Sequence, residues 1–170
     1  GLVGSEMCIR DRLYRDPDID VSSNPNFAHI KSGTSQRSKY FFSDPSVIVA
    51  PPEKEMLLPS EDVSFNLQDD QLAKALKSAS ILSLPDLSVV GGEGVVKMVV
   101  SDRKNDTSNE FAIVVGNTDK EFSFNFKIEN MKLIPGSYSV AISCKNLARF
   151  YNTNYKLTYF IALEPDSVYS

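Results

Sequence analysis

Lys74 and Lys77 stand one helical turn apart in Gln71–Ser80, a stretch with no acidic residue. At 100° per residue, Leu72, Ala75, Leu76 and Ala79 gather on one face of such a helix, and Lys74, Lys77 and Ser78 fall on the other. Further along, Lys132 projects away from the Ile128/Met131/Ile134 side of a second short helical segment, with Lys127 just before it. Lysine is a mobile point charge without the fork geometry that reads bases, so the chemistry open to these side chains is sequence-blind contact with phosphates. The competing reading is an ordinary solvated helix face.

Other chemistry is poorly supplied. The pairs Glu61/Asp62 and Asp69/Asp70 are adjacent in sequence and suit a strand edge and a helix start better than acid–base catalysis. Gly91-Gly92-Glu93-Gly94 lacks the Lys-Ser/Thr of a phosphate-binding loop and reads as a turn. His29 is the one histidine, which leaves no zinc cluster, no metal site and little material for a Ser-His-Asp triad. Asn105-Asp106-Thr107 matches a glycosylation sequon, but nothing signals secretion. No catalytic site and no cofactor is expected.

The elements that position the lysines belong to a chain of 170 residues, 42% apolar and 24% charged, the balance of a globular protein with a core. A net charge of −4 excludes a generally basic nucleic-acid binder while leaving room for a local positive patch. No apolar run approaches the ~20 residues of a membrane helix. Cys8 and Cys144 are too few for a disulfide scaffold and fit a reducing compartment.

Three zones follow a leader. Gly1–Arg12, GLVGSEMCIRDR, resembles a translated adapter read-through and is set aside from the fold. Residues 13–42 hold turn formers and two short strands, Phe27–Ile30 and Lys39–Phe42, and read as the end of a truncated domain. Residues 43–60 carry four of the nine prolines around the extended Val47-Ile48-Val49 and read as a connector strapped across a surface. Residues 61–170 form a full domain with 11 basic and 14 acidic side chains. There the pattern predicts strands at 63–67, 87–90, 95–100, 110–115, 121–126, 137–143 and 155–163, and helices at 71–80 and 128–133. Asp69 and Asp70 supply the N-cap and first-turn acid of the longer helix.

An internal echo organises these elements. Val63-Ser64-Phe65-Asn66-Leu67 recurs as Phe122-Ser123-Phe124-Asn125-Phe126, and each copy leads into one of the helices. The expected fold is α+β: antiparallel sheets in pseudo-repeated strand–helix–strands units, with two short helices on one side.

Three stretches in order carry a family likeness. Asp44-Pro45-Ser46-Val47-Ile48-Val49-Ala50-Pro51 resembles the start of an interdomain connector, Phe122–Tyr138 a second C-terminal repeat, and Ala162-Leu163-Glu164-Pro165-Asp166-Ser167 a C-terminal tail. Together they resemble the sliding clamps, or DNA polymerase processivity factors, of T-even-type bacteriophages, over the C-terminal portion. The resemblance implies a homotrimeric ring around double-stranded DNA that tethers the DNA polymerase. It also implies the clamp loader and late-transcription factors as further partners, no membrane, and the cytoplasm of an infected bacterial host. By position, Lys74, Lys77, Lys127 and Lys132 would face DNA. Lys39, Tyr40, Phe41 and Phe42 would meet Glu110, Phe111, Ile113 and Val115 of a neighbour. Val47, Ile48, Val49, Leu163 and Pro165 would line the partner-peptide groove. A virion structural β-domain is the alternative, which accounts for the strands and acidic charge but not for two lysine-bearing helices.

Overall fold

The computed structural model describes residues 17–44, 46 and 56–170, and the chain divides into two compact units, Gly1–Glu55 and Met56–Ser170. In the first unit, β1 (Asp18–Asp20), β2 (Phe27–Ser32) and β3 (Gln36–Phe41) form an antiparallel sheet in that order. Ala28 and Ile30 are buried. Cross-strand pairing puts Phe27, His29 and Lys31 opposite Phe41, Lys39 and Arg37 on the other face. Asp18, which the sequence pattern groups with Pro17 among the turn formers, is the first residue of β1.

The second unit contains β4 (Val63–Leu67), α1 (Asp69–Leu82), β5 (Asp86–Gly92), β6 (Val95–Ser101), β7 (Phe111–Asn117), β8 (Phe122–Lys127), β9 (Tyr138–Ser143), β10 (Leu147–Asn152), β11 (Leu157–Ala162) and β12 (Val168–Tyr169). One sheet has the order β11-β10-β9-β4 and the other β12-β8-β5-β6-β7. The two halves of the echo are β4 and β8, and each heads a repeat: β4–α1–β5–β6–β7, then β8–turn–β9–β10–β11. The leading strands are exchanged. β4 pairs with β9 of the second repeat, and β8 pairs with β5 of the first. Each repeat is therefore completed by the other's first strand, and one core unites them. That core takes in Val63 and Leu67 of β4, Phe122, Phe124 and Phe126 of β8, and inward residues of β5, β6, β9, β10 and α1.

Exchange also fixes the helix, because α1 has to carry the chain from a strand of one sheet to a strand of the other. It packs on β6 and β7, burying Leu72, Ala75 and Ala79 at the predicted spacing. The residue preceding it is Gln68, not Asp69: Gln68 N–H donates to Gln71 Oε1 at 2.9 Å, and both aspartates sit inside the first turn. Ser83 ends the helix in the left-handed region with φ 54, and Pro85 follows within two residues.

Elsewhere the structure corrects the sequence pattern. The second predicted helix is one 3-10 turn, Ile128–Asn130, closed by Met131 N–H on the Ile128 carbonyl at 3.0 Å. Met131, Leu133 and Ile134 are all buried, a spacing a helix cannot bury on one face, so this segment crosses the core without helical structure. The unit thus has one α-helix among its described residues, not two. Tyr155 lies in the β10–β11 turn and is exposed, so the last predicted strand begins at Leu157. The strand β10 went unpredicted. In the β5–β6 hairpin, Glu93 (φ 55) and Gly94 (φ 82) make the tight turn that GGEG foretells.

Gly91 opposes Phe122 across β5 and β8, and an added Cβ would lie 2.3 Å from the Phe122 ring. With Phe122 buried, Gly91→Ala should cost about 1–3 kcal/mol through overpacking. The urea midpoint of the chain should fall with its slope unchanged; an unaltered midpoint would refute this ring-on-glycine packing.

Candidate nucleic-acid and partner interfaces

The cationic face begins with the helix. Burial of Leu72, Ala75 and Ala79 turns Asp70, Ala73, Lys74, Lys77 and Ser80 outward, all exposed. Lys74 Nζ lies 2.8 Å from Asp70 Oδ2, an i,i+4 pair in solvent. Among the described residues Lys77 makes no such pair. Its helical neighbours at i−4 and i+4 are Ala73 and Ile81, which have no charge to offer.

Lys132 is exposed in the loop after the 3-10 turn. That loop is tied to the start of α1, since Gly136 N–H donates to Asp69 Oδ1 at 2.9 Å. The two carboxylates of Asp69 and Asp70 thus have separate structural tasks, one holding a loop and one holding a lysine. The structure brings Lys74 and Lys77 onto one helix face and anchors the loop that carries Lys132 to that helix's first turn.

Lys127 is not part of this group. Its ammonium pairs with Asp86 Oδ1, and Asp86 is almost wholly buried at the end of β5. The second Asp86 oxygen accepts the Arg103 N–H at 3.1 Å. Burial pushes the Asp86 carboxyl up, but the Lys127 and Arg103 hydrogen bonds outweigh it and hold the group below its ordinary value. The Lys127 ammonium is correspondingly raised, chiefly by its bond to Asp86. Lys127 is therefore a structural cation, since a phosphate would have to break this pair to reach it.

The other adjacent pair of carboxylates, Glu61 and Asp62, also has structural partners. Glu61 meets Arg149 Nη2 at 2.6 Å. Asp62 accepts Ser60 Oγ at 2.7 Å and Cys144 N–H at 2.8 Å. In the first unit His29 has its pKa lowered by desolvation and then by Arg37, Lys31 and Lys39. No group of three or more His, Cys, Asp or Glu side chains among the described residues is arranged to hold a metal. No helix among them is long and apolar enough to cross a membrane.

Two sheet edges carry the residues that the sequence assigns to a subunit interface. β3 is an edge strand with Lys39 and Phe41 exposed and Tyr40 half-buried, and Phe42 follows it with its N–H on the Asn26 carbonyl at 2.8 Å. β7 is the edge of the five-stranded sheet. Here the residues chosen from sequence face the wrong way: Phe111 and Ile113 pack against the core and Val115 is buried in it. The outward positions are Ala112 and Val114, with Glu110 exposed just before the strand. Part of this edge is already engaged, because Gln71 Nε2 donates to the Val114 carbonyl at 3.2 Å.

Of the groove residues, Val47, Ile48 and Val49 lie outside the described residues. Leu163 is buried in the core, with its N–H on the Asn146 carbonyl at 3.0 Å, and Pro165 is exposed. Sequence reasoning missed Asn125, which fixes the segment carrying both. Its carbonyl accepts Glu164 N–H at 2.8 Å, its N–H donates to Ser167 Oγ at 2.9 Å, and its Nδ2 donates to the Asp166 carbonyl at 3.2 Å. Arg103 adds an ion pair to Asp166. The echo contained this residue, but Asn66 in the first copy is exposed, so the motif alone could not single it out.

Comparison with known proteins supplies a family. Residues 64–165 match the family model described as gp45 sliding clamp, C terminal. The chain is 28% identical to the sliding clamp of Vibrio phage KVP40 over 154 residues, covering 86% of this chain and 68% of that protein. It is likewise 28% identical to the sliding clamp of Enterobacteria phage T4 over 164 residues, covering 91% and 69%. Among solved structures, the β sliding clamp of C. crescentus matches with a TM-score of 0.50 at 14% identity, covering 87% of this chain and 40% of that one. The DNA polymerase III subunit beta of Bartonella birtlesii matches with 0.51 at 14% identity, covering 86% and 41%. The chain therefore spans about two-fifths of the solved proteins it resembles.

The Asp86–Lys127 pair yields a prediction that needs no partner. Asp86→Asn leaves a half-buried ammonium short of its counter-charge and should cost about 1–3 kcal/mol. Because the folded carboxyl titrates below its ordinary value, its contribution is complete above pH ~4 and lost as pH falls through the folded value. Acid unfolding of the parent should accordingly be steeper than that of Asp86→Asn, and equal steepness would remove the pair from the account.

Proposed function

The chain belongs to the gp45 sliding clamp family, and from that membership we propose that it is the C-terminal portion of a ring that encircles double-stranded DNA and tethers a DNA polymerase. The observation that carries the reading is the exposed lysine face of α1 in a net-acidic protein. Lysine contacts are sequence-blind and individually weak, so they guide a duplex without arresting it. Retention then falls to ring closure, which needs little affinity per contact. Lys74, Lys77 and Lys132 are the DNA-facing residues in this reading, while Lys127 is withdrawn because of Asp86.

Ring closure is assigned to the edges of β3 and β7. A head-to-tail contact of unlike edges is heterologous, and three copies close it. Phe41 is 62% exposed on β3 and Val114 is 50% exposed on β7, two apolar side chains that an edge left in water would not favour. Lys39, Tyr40 and Phe42 on one side, and Glu110 with Ala112 on the other, complete the proposed seam. Pro165 is assigned to a surface that takes peptides of the polymerase, the clamp loader and late-transcription factors; Val47, Ile48 and Val49 keep that role by family resemblance alone. Leu163, buried in the core, is withdrawn from direct peptide contact. The proposed setting is the cytoplasm of an infected bacterium, in keeping with the phage origin of the relatives. Family membership sets aside the virion structural β-domain.

Two outcomes test the reading. In the whole protein, exchanging Lys74, Lys77 and Lys132 together for Glu should abolish stimulation of long-tract synthesis. Folding stability should stay within about 0.5 kcal/mol per exposed site; undiminished processivity would reject the assigned face. Separately, Phe41→Glu with Val114→Glu should shift sedimentation of the whole protein from trimer to monomer, and an intact trimer would move the seam elsewhere.

A further inference from the structure

We propose that Asp70 is a built-in rival of phosphate for Lys74, which keeps the DNA contact of α1 loose; the proposal rests on the reading of α1 as the DNA-facing helix.

The three exposed lysines are not equivalent. Lys77 has no carboxylate at helical spacing, and among the described residues neither Lys77 nor Lys132 has an ion-pair partner. Lys74 alone is held, with its ammonium 2.8 Å from a carboxylate one turn toward the helix N-terminus. An acid four residues before a lysine is the favourable order for such a pair. Asp70 lies in the first turn of the helix, where a carboxylate is favoured by the helix dipole. Asp70 thus occupies one of the three donors of the Lys74 ammonium, and a phosphate oxygen competes with it for that charge.

Asp70 is ionised throughout the working range, because the Lys74 hydrogen bond and charge hold its carboxyl below the ordinary value. A phosphate approaching Lys74 thus exchanges one anionic partner for another instead of meeting a bare cation. The pair is exposed on both sides, with side-chain exposures of 60% and 65%, so the exchange is possible and its effect is small. A small effect is what a moving contact requires: strong enough to repel nothing, weak enough to be released at the next phosphate. Charge summed over α1 gives the same picture, with Asp69 and Asp70 against Lys74 and Lys77.

The test measures binding of this chain to a short DNA duplex by fluorescence anisotropy over a salt series. Asp70→Asn should tighten binding roughly twofold, the equilibrium factor of an exposed i,i+4 pair. The salt dependence should steepen by about 0.9 in log–log slope, as one further phosphate is neutralised. A generic loss of negative charge would also tighten binding, so the decisive measurement is the double-mutant cycle with Lys74→Gln. The Asp70→Asn gain should vanish once Lys74 is absent. A gain that persists without Lys74 overturns the proposal, as does no gain in the parent while Lys74→Gln/Lys77→Gln/Lys132→Gln loses binding. If that triple variant binds DNA as the parent does, the reading of α1 itself fails and the proposal falls with it.

Discussion

Neither repeat of the second unit can be completed without the other, because β4 and β8 are traded between them. Each is the outer companion of a three-stranded meander formed by the opposite repeat. The inward residues of the two strands, Val63 and Leu67 in one and Phe122, Phe124 and Phe126 in the other, enter a common core. A repeat deprived of its guest strand would expose one row of backbone donors and acceptors and a strip of apolar side chains at once. The exchange also leaves β7 and β11 as the strands at the far ends of the two meanders. The helix that bridges β4 and β5 is thereby held on β6 and β7, with one face turned out of the core. The geometry of the edges and of the lysines follows from this single swap.

The two leading strands share a motif but not an environment, and the difference lies in what covers them. β8 receives Glu164–Ser170 along its outer side, with Val168 opposite Ser123 and Tyr169 opposite Phe122. Lys120 Nζ reaches the Tyr169 hydroxyl at 2.9 Å and the Asp62 carbonyl at 3.0 Å, tying this segment to the approach of β4. Under that cover Asn125 is buried and meets Ser88 Oγ at 2.7 Å, so its polar atoms need internal partners. Asn66 at the matching place on β4 is exposed and meets water. Identical side chains thus serve packing in one copy and solubility in the other.

What could be read from residues alone tracks the strength of local periodicity. Alternation exposed β4, β6 and β8, and the 3.6-residue spacing of Leu72, Ala75 and Ala79 exposed α1, because in each the apolar residues repeat along one face of the element. The 128–134 segment misled for the opposite reason. Its apolar residues fit a helical wheel, but the core claims Leu133 along with Met131 and Ile134, and tertiary burial overrode the local pattern. β10 was hidden because Arg149 and Asn152 interrupt its apolar look, although Arg149 pairs with Glu61 and Asn152 caps the next turn through Asn154 and Tyr155. Lys127 looked like Lys132 in sequence. Only the fold places Asp86 beside it, since the two come together through β5–β8 pairing across 41 positions. The facing of β7 was lost to a matter of one residue, which in a strand decides between core and solvent.

Charge in this chain is arranged by pairing more than by amount. Arg103, Lys127 and Arg149 are committed to carboxylates that fix the fold, and Lys97 and Lys74 to carboxylates in solvent. The cations of α1 and its tethered loop that remain uncommitted are therefore few, and they are lysines. A face of that kind has little grip at the ionic strength of a cell, because each exposed contact is screened over about 8 Å and none is geometrically selective. For a protein that had to find and hold DNA by affinity this would be a defect. For one held on by closure, as proposed, weak contacts would leave the duplex free to move, and the net-acidic remainder would disfavour the polyanion elsewhere on the surface.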